Sequence, residues 1–144
     1  MTTPVKKMGY EALLYYGPTG SAASTQITNC RDVTYENDLT MGDTTIKGDG
    51  SVVPIATARP TGRSVSLSWT MVMKSNDTTL TALIAAARAG AAVALKCIPY
   101  SGGAGLDADC YIGMSNPQPL GGEQTVTFTL KGFEDVDRTP SLNA

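Results

Sequence analysis

The sequence contains no histidine. That removes His-based catalytic triads, imidazole metal ligands and the side chain that most readily titrates near neutral pH. Cysteine is scarce. Cys30, Cys97 and Cys110 are the whole set, and no two form a CxxC pair. Zinc ligation at its usual spacing is excluded, and the small, odd count fits buried, inert thiols in a reducing compartment. Charge is thin as well. Charged residues make up 17% of the chain, Lys plus Arg total 11, Asp plus Glu total 13, and the net charge is −2. The basic excess of a nucleic-acid binder is missing. Long apolar runs are also missing. The longest, Ala82 to Ala87, is far too short to span a bilayer. Lys6 and Lys7 are not followed by an apolar stretch of signal-peptide length. The expectation is a chain made in the cytoplasm, with no membrane partner.

What remains is ample for one ordinary domain. The 144 residues match the usual domain size, and 42% apolar residues supply a core without disulfides or metal. The dominant signal is alternation with a period of two. From Ser64 to Met73, apolar residues fill the odd positions Val65, Leu67, Trp69, Met71 and Met73. Ser and Thr fill the even positions up to Val72. On a strand this puts the apolar set on one face and a smooth hydroxyl row on the other. Thr125, Thr127 and Thr129 alternate in the same way with Val126, Phe128 and Leu130. Shorter alternations cover Asp32–Glu36, Val93–Cys97 and Asp107–Ile112, and Tyr10–Tyr16 reads as a weaker strand. One-sided alternation marks antiparallel pairing. The predicted fold is mainly β: an antiparallel β-sandwich or partial barrel of six or more strands.

One segment breaks the period. Leu80, Leu83, Ile84 and Ala87 fall at i, i+3, i+4 and i+7, which is one helical face. Asn76 or Asp77 can cap its start, and Gly90 can close its end in the left-handed conformation. A single flanking helix is therefore expected over about residues 77–89. Gly17–Thr25 reads as a turn or short loop. Asp38–Gly62 reads as a long loop or a hairpin, with Gly48-Asp49-Gly50 as a tip. Its apolar residues Met41, Ile46, Val52, Val53 and Ile55 would be wasted on a solvated loop, so they are candidates for contact with a neighbouring subunit. Residues 1–9 read as an N-terminal arm, residues 10–134 as one domain, and residues 135–144 as a flexible polar tail.

Catalytic and ligand-binding patterns are thin. Gly17-Pro18-Thr19-Gly20-Ser21 lacks the GK[ST] ending of a phosphate loop and reads as a turn. Asp107 and Asp109 share a strand face, but no further ligands accompany them, and solvated surface charge is the plainer expectation. Asn76-Asp77-Thr78 matches a glycosylation sequon, yet helix capping is the better use of it. Ser64, Ser66 and Ser68 have no base and no GxSxG elbow. No cofactor, metal or catalytic residue is expected, and the chain does not read as an enzyme. Trp69 and Phe128 sit on the apolar faces, as core residues would.

The order of these segments carries a resemblance. A strand holding Asp32-Val33-Thr34-Tyr35-Glu36 precedes the long Gly- and Thr-rich segment up to Arg59-Pro60-Thr61-Gly62-Arg63. Then come the Ser64–Met73 strand, the helix, the Val93–Ile98 strand, and a closing strand Gln124-Thr125-Val126-Thr127-Phe128-Thr129-Leu130-Lys131-Gly132. Over roughly Thr28 to Phe133 this resembles the tail tube proteins, or major tail proteins, of long-tailed bacteriophages. The resemblance implies a structural subunit whose six-membered rings stack into a hollow tube. Neighbouring sheets would join around a lumen that conducts double-stranded DNA during ejection without binding it specifically. It implies tail partners such as the tape measure and the tail terminator, a place in the virion tail, and assembly in the host cytoplasm. Related tubes occur in contractile tails and type VI secretion systems. Thr34, Ser66, Asp109 and Thr127 are the expected lumen-face residues, since hydroxyl and acidic rows do not hold phosphate as Lys and Arg rows would. The alternatives are a carbohydrate-binding or adhesin-type β-sandwich, for which Tyr100 and Tyr111 are the available exposed aromatics, and a tail-completion or connector protein.

Overall fold

The computed structural model describes residues 3–45, 53, 55–136 and 138–142. Its strands are β1 (Leu13–Gly17), β2 (Thr25–Gln26), β3 (Cys30–Asp43), β4 (Ala58–Val72), β5 (Val93–Ile98), β6 (Leu106–Ser115) and β7 (Thr125–Glu134). One helix, α1 (Thr78–Ala89), lies between β4 and β5. A single 3₁₀ turn over Gly9–Glu11 replaces the start of the weak strand expected from Tyr10. The strands form one antiparallel sheet in the order β2-β1-β5-β6-β7-β4-β3. The sheet is not closed into a barrel, and β2 and β3 are its edges. Its two wings nonetheless face each other. Val33 and Tyr35 of β3 line an apolar cavity of about 230 Å³ together with Ala12, Cys97 and Ile98 from the opposite wing. The partial-barrel reading therefore holds, with an open seam.

The alternation sets the core. Leu67, Trp69 and Met71 of β4 and Val126, Phe128 and Leu130 of β7 are buried on the inner face. Trp69 and Phe128 are register partners, and their rings stack at 5.4 Å between centroids. Each large apolar side chain buried in this way contributes about 1.5–3 kcal/mol. Leu95, Leu106, Ala108, Cys110 and Ile112 continue this layer across β5 and β6. The helix seats Leu80 and Leu83 on it, with Ile84 and Ala87 at the margin. Its ends are built as the sequence indicates. Asp77 accepts the Leu80 N–H at the start, and Gly90 takes φ 68° at the end.

The Asp38–Gly62 segment is a hairpin arm. β3 and β4 pair from Cys30↔Met71 to Asp43↔Ala58, with register shifts between Arg31 and Thr34 and between Thr40 and Met41, and Thr44 and Thr57 extend the pairing by one more backbone bond. The loop signals have local causes. Thr61 is the extra residue of a bulge between Thr40↔Gly62 and Met41↔Pro60. Its methyl lies where a Cβ on Gly42 would come within 2.7 Å, so a larger residue at position 42 would force the Thr61 side chain to move. Pro60 is tolerated because β4 has a strand on one side only at that level. Alternation fades there because both faces of the arm are in solvent. The Gly48–Gly50 tip, Ile46 and Val52 lie outside the described residues.

The C-terminal segment departs from a free tail. After β7 ends, the chain loops out and returns so that Ser141 exchanges both backbone hydrogen bonds with Asp107 of β6, at 2.8 and 2.9 Å. Arg138, on that loop, grips Asp107 and Asp109. These two carboxylates, read as solvated surface charge, are 8% and 0% exposed. The reason is tertiary: their partner lies 31 residues from Asp107 and 29 from Asp109 in the chain.

Candidate functional site: a hydroxyl-rich sheet face between two open edges

The register sorts the polar side chains onto one face. Thr34 of β3 pairs with Ser68 of β4, Ser68 with Thr129 of β7, and Thr129 with Gly113 of β6. Glu36 stands opposite Ser66, whose hydroxyl donates to Glu36 Oε2 at 3.4 Å. On the other side of the first row, Thr70 and Thr127 bring their hydroxyls to 3.2 Å, and Thr127 pairs with Ser115. All these positions alternate with the buried set, so they share the face turned away from the core. Three of the expected face residues, Thr34, Ser66 and Thr127, are brought together here.

Asp109 is not with them. Strand parity puts it on the same side of β6, but beyond the irregularity between Tyr111 and Ile112. There Arg138 Nε donates to its Oδ1 at 2.8 Å and the Gly20 N–H donates to its Oδ2 at 3.0 Å. Arg138 Nη1 donates to Asp107 Oδ1 at 2.7 Å. Burial alone would lower the Arg138 pKa, and the hydrogen bonds to Asp109 and Asp107 more than reverse that. The turn that resembled a phosphate loop thus gives its Gly20 amide to the chain's own carboxylate. Fully covered, Asp109 cannot present charge to anything passing along the sheet.

The hydroxyl face belongs to four strands, β3-β4-β7-β6, and both of its flanks are open. Among the described residues, β3 has no strand on its outer side. β6 pairs with β5 only as far as Cys110, so its Ile112–Ser115 half has β7 on one side and, among the described residues, no strand on the other. Unpaired N–H and C=O groups along such edges are ready to pair with another strand. The arm beyond them exposes apolar side chains. Met41, Val53 and Ile55 are 51%, 75% and 62% exposed. Leu39, at 46%, joins them. Sequence reasoning passed over Leu39, although it lies two residues from Met41 and four from Tyr35 and so repeats the strand period.

Other chemistry is spoken for. Cys97 and Cys110 are buried, which pushes their thiols up to about 11 and about 12, with Asp109 adding to the shift at Cys110. Burial also raises Cys30. Such thiols are poor nucleophiles. No group of three or more His, Cys, Asp or Glu residues suited to a metal occurs among the described residues. No helix among them is long and apolar enough to cross a membrane. Trp69 and Phe128 are fully buried, and the Tyr100 ring carries Lys7 Nζ at 5.1 Å from its centroid.

No protein-family model matches the chain, and no curated protein matches it. Its fold does match solved structures. A chain in the tail of an empty GTA particle, obtained by helical refinement with C6 symmetry, superposes with a TM-score of 0.71 at 19% identity, covering 96% of this chain and 100% of that one. A chain in the virion of a native gene transfer agent particle gives 0.69 at 15% identity, covering 96% and 100%. A chain in the six-fold symmetrised baseplate of the anti-feeding prophage gives 0.50 at 11%, covering 93% and 95%. The chain therefore has the fold of subunits found in phage-like tail particles.

Proposed function

We propose that the chain is a structural, non-enzymatic subunit of a phage tail tube. Six copies form a ring, rings stack into a hollow tube, and DNA passes through the lumen during ejection. The observation that carries this reading is the four-stranded hydroxyl face with an open edge on either side. Four antiparallel strands are an even number, so β6 of one copy and β3 of the next run in opposite directions. Head-to-tail repetition then continues the sheet antiparallel, removes both edges, and curves the hydroxyl face into a closed wall. The C6 symmetry of the GTA tail supports six copies for this chain too. A wall of Thr34, Ser66, Ser68, Thr70, Thr127 and Thr129 stays wet, and its hydroxyls do not hold phosphate as Lys and Arg rows would. Between rings, the arm buries Leu39, Met41, Val53 and Ile55 on a neighbour, and Ile46 and Val52 are proposed for the same contact. The tube ends meet other tail proteins, a tape measure within and a terminator at the end. The finished assembly is part of the virion and is built in the host cytoplasm.

Electron microscopy of the concentrated protein, with and without a crowding agent, tests this reading. Hollow tubes or stacked rings with six-fold class averages are expected. Dispersed monomers under every condition would overturn it. Single rings that never stack would favour a connector protein.

A further inference from the structure

The hydroxyl face carries one feature that a smooth wall does not need. Lys131, on β7, lies beside an irregularity in the ladder: Tyr111 pairs with Gly132 and Ile112 with Leu130, which leaves Lys131 as the extra residue. Its side chain runs across β6 on the hydroxyl side. A Cβ built on Gly113 would meet Lys131 Cε at 2.6 Å, Cγ at 3.5 Å and Cδ at 3.6 Å. Glycine at 113 thus leaves a groove that the lysine stem fills. Lys131 is exposed, and it has no ion-pair partner among the described residues. The stem points away from the acids of β3. Glu36 and Asp38 lie on β3, on the far side of β4. Lys131 and Glu36 are therefore two strand spacings apart, about 10 Å. What the stem points toward is the open edge of β6.

We propose that Lys131 pairs with Glu36 of a second copy across the β6–β3 junction and so sets the register in which neighbouring sheets join. The inference rests on the tube reading above. Its physical basis is charge complementarity at opposite edges of one sheet. The row Thr34–Ser68–Thr129–Gly113 crosses all four strands. If a second copy continues that row, its Thr34 stands next to Gly113. Its Glu36 then stands one step along, next to Tyr111, on the edge toward which the lysine stem runs. Backbone pairing alone does not distinguish this register from one slipped by two residues, because a slip of two keeps every side chain on its own face. A charge pair at the junction does distinguish them, and like charges there oppose assembly.

Charge reversal and exchange test the proposal. Lys131→Glu and Glu36→Lys are each expected to raise the concentration needed for tube growth about tenfold or more. The double variant K131E/E36K should restore growth to within a few-fold of the wild type. Both positions are exposed, so circular dichroism and the melting temperature of each single variant should match the wild type. Single variants that assemble like the wild type would overturn the pairing and leave the tube reading intact. So would loss without recovery in the double variant. Recovery by K131E/D38K in place of K131E/E36K would overturn the register. Absence of tubes from the wild type itself would be a failure of the tube reading, visible before any variant is made.

Discussion

Replacing Arg138 by alanine is the sharpest test of how the C-terminal segment is held. Arg138 spans two carboxylates, and its side chain is 19% exposed, against 11% for Asp107 and 0% for Asp109. After Arg138→Ala, Asp109 keeps only the Gly20 N–H, and its charge stays buried without a counter-ion. Removing one partner of a buried ion pair costs about 3–5 kcal/mol. Residual solvent access at Arg138 and Asp107 argues for the lower end, about 3 kcal/mol. With a urea m-value of about 2 kcal/mol/M, that moves the unfolding midpoint down by about 1.5 M. Urea unfolding followed by tryptophan fluorescence gives the readout, because Trp69 is the one tryptophan and is fully buried. Arg138→Ala combined with Asp109→Asn should recover part of the loss, since the orphaned charge is gone. A midpoint shift under about 0.3 M for Arg138→Ala would refute the reasoning. It would mean that the loop does not hold the carboxylates in solution and that water reaches Asp109.

Further outcomes follow from the same structure. Ellman's reagent at pH 8 should label Cys30 first, and Cys97 and Cys110 only after unfolding. Thiols at about 11 and about 12 remain protonated in the fold up to those values, whereas unfolded ones ionise near 9. The unfolded state therefore sheds protons first, so stability should fall as pH rises from about 9 toward 11–12. The variant Cys97→Ala/Cys110→Ala should flatten that slope, and an unchanged slope would defeat this account. Deletion of Met41 to Ile55 should leave a folded domain with a melting temperature within a few degrees of the wild type, because none of its described residues is buried. The same deletion should abolish tubes in electron micrographs. Normal tubes from it would remove the arm from the assembly contact.

The reach of local sequence in this chain can be judged element by element. Period-two alternation is a property of neighbouring residues. The Ser64–Met73 and Thr125–Leu130 strands, their buried faces and the hydroxyl rows opposite were accordingly legible without coordinates. The helix was equally legible, since Asp77, the Leu80–Ala87 face and Gly90 all act within a few residues of one another. The arm was half legible. Its apolar residues stood out, but alternation reports burial. A ribbon exposed on both faces offers no such signal, and glycines beside a bulge, such as Gly42 and Gly62, imitate turns. Thr34, Ser66 and Thr127 could be nominated one strand at a time. That they share a face depends on inter-strand register, which no single strand encodes. Asp109 marks the limit. Its neighbours in sequence describe an exposed strand, and its actual environment is made by Gly20 and Arg138, 89 and 29 residues away. Strand identity and facing came from local chemistry. The open edges, the return of the C-terminal segment and the course of Lys131 over Gly113 came from packing, because each depends on contacts between segments that the chain order keeps apart.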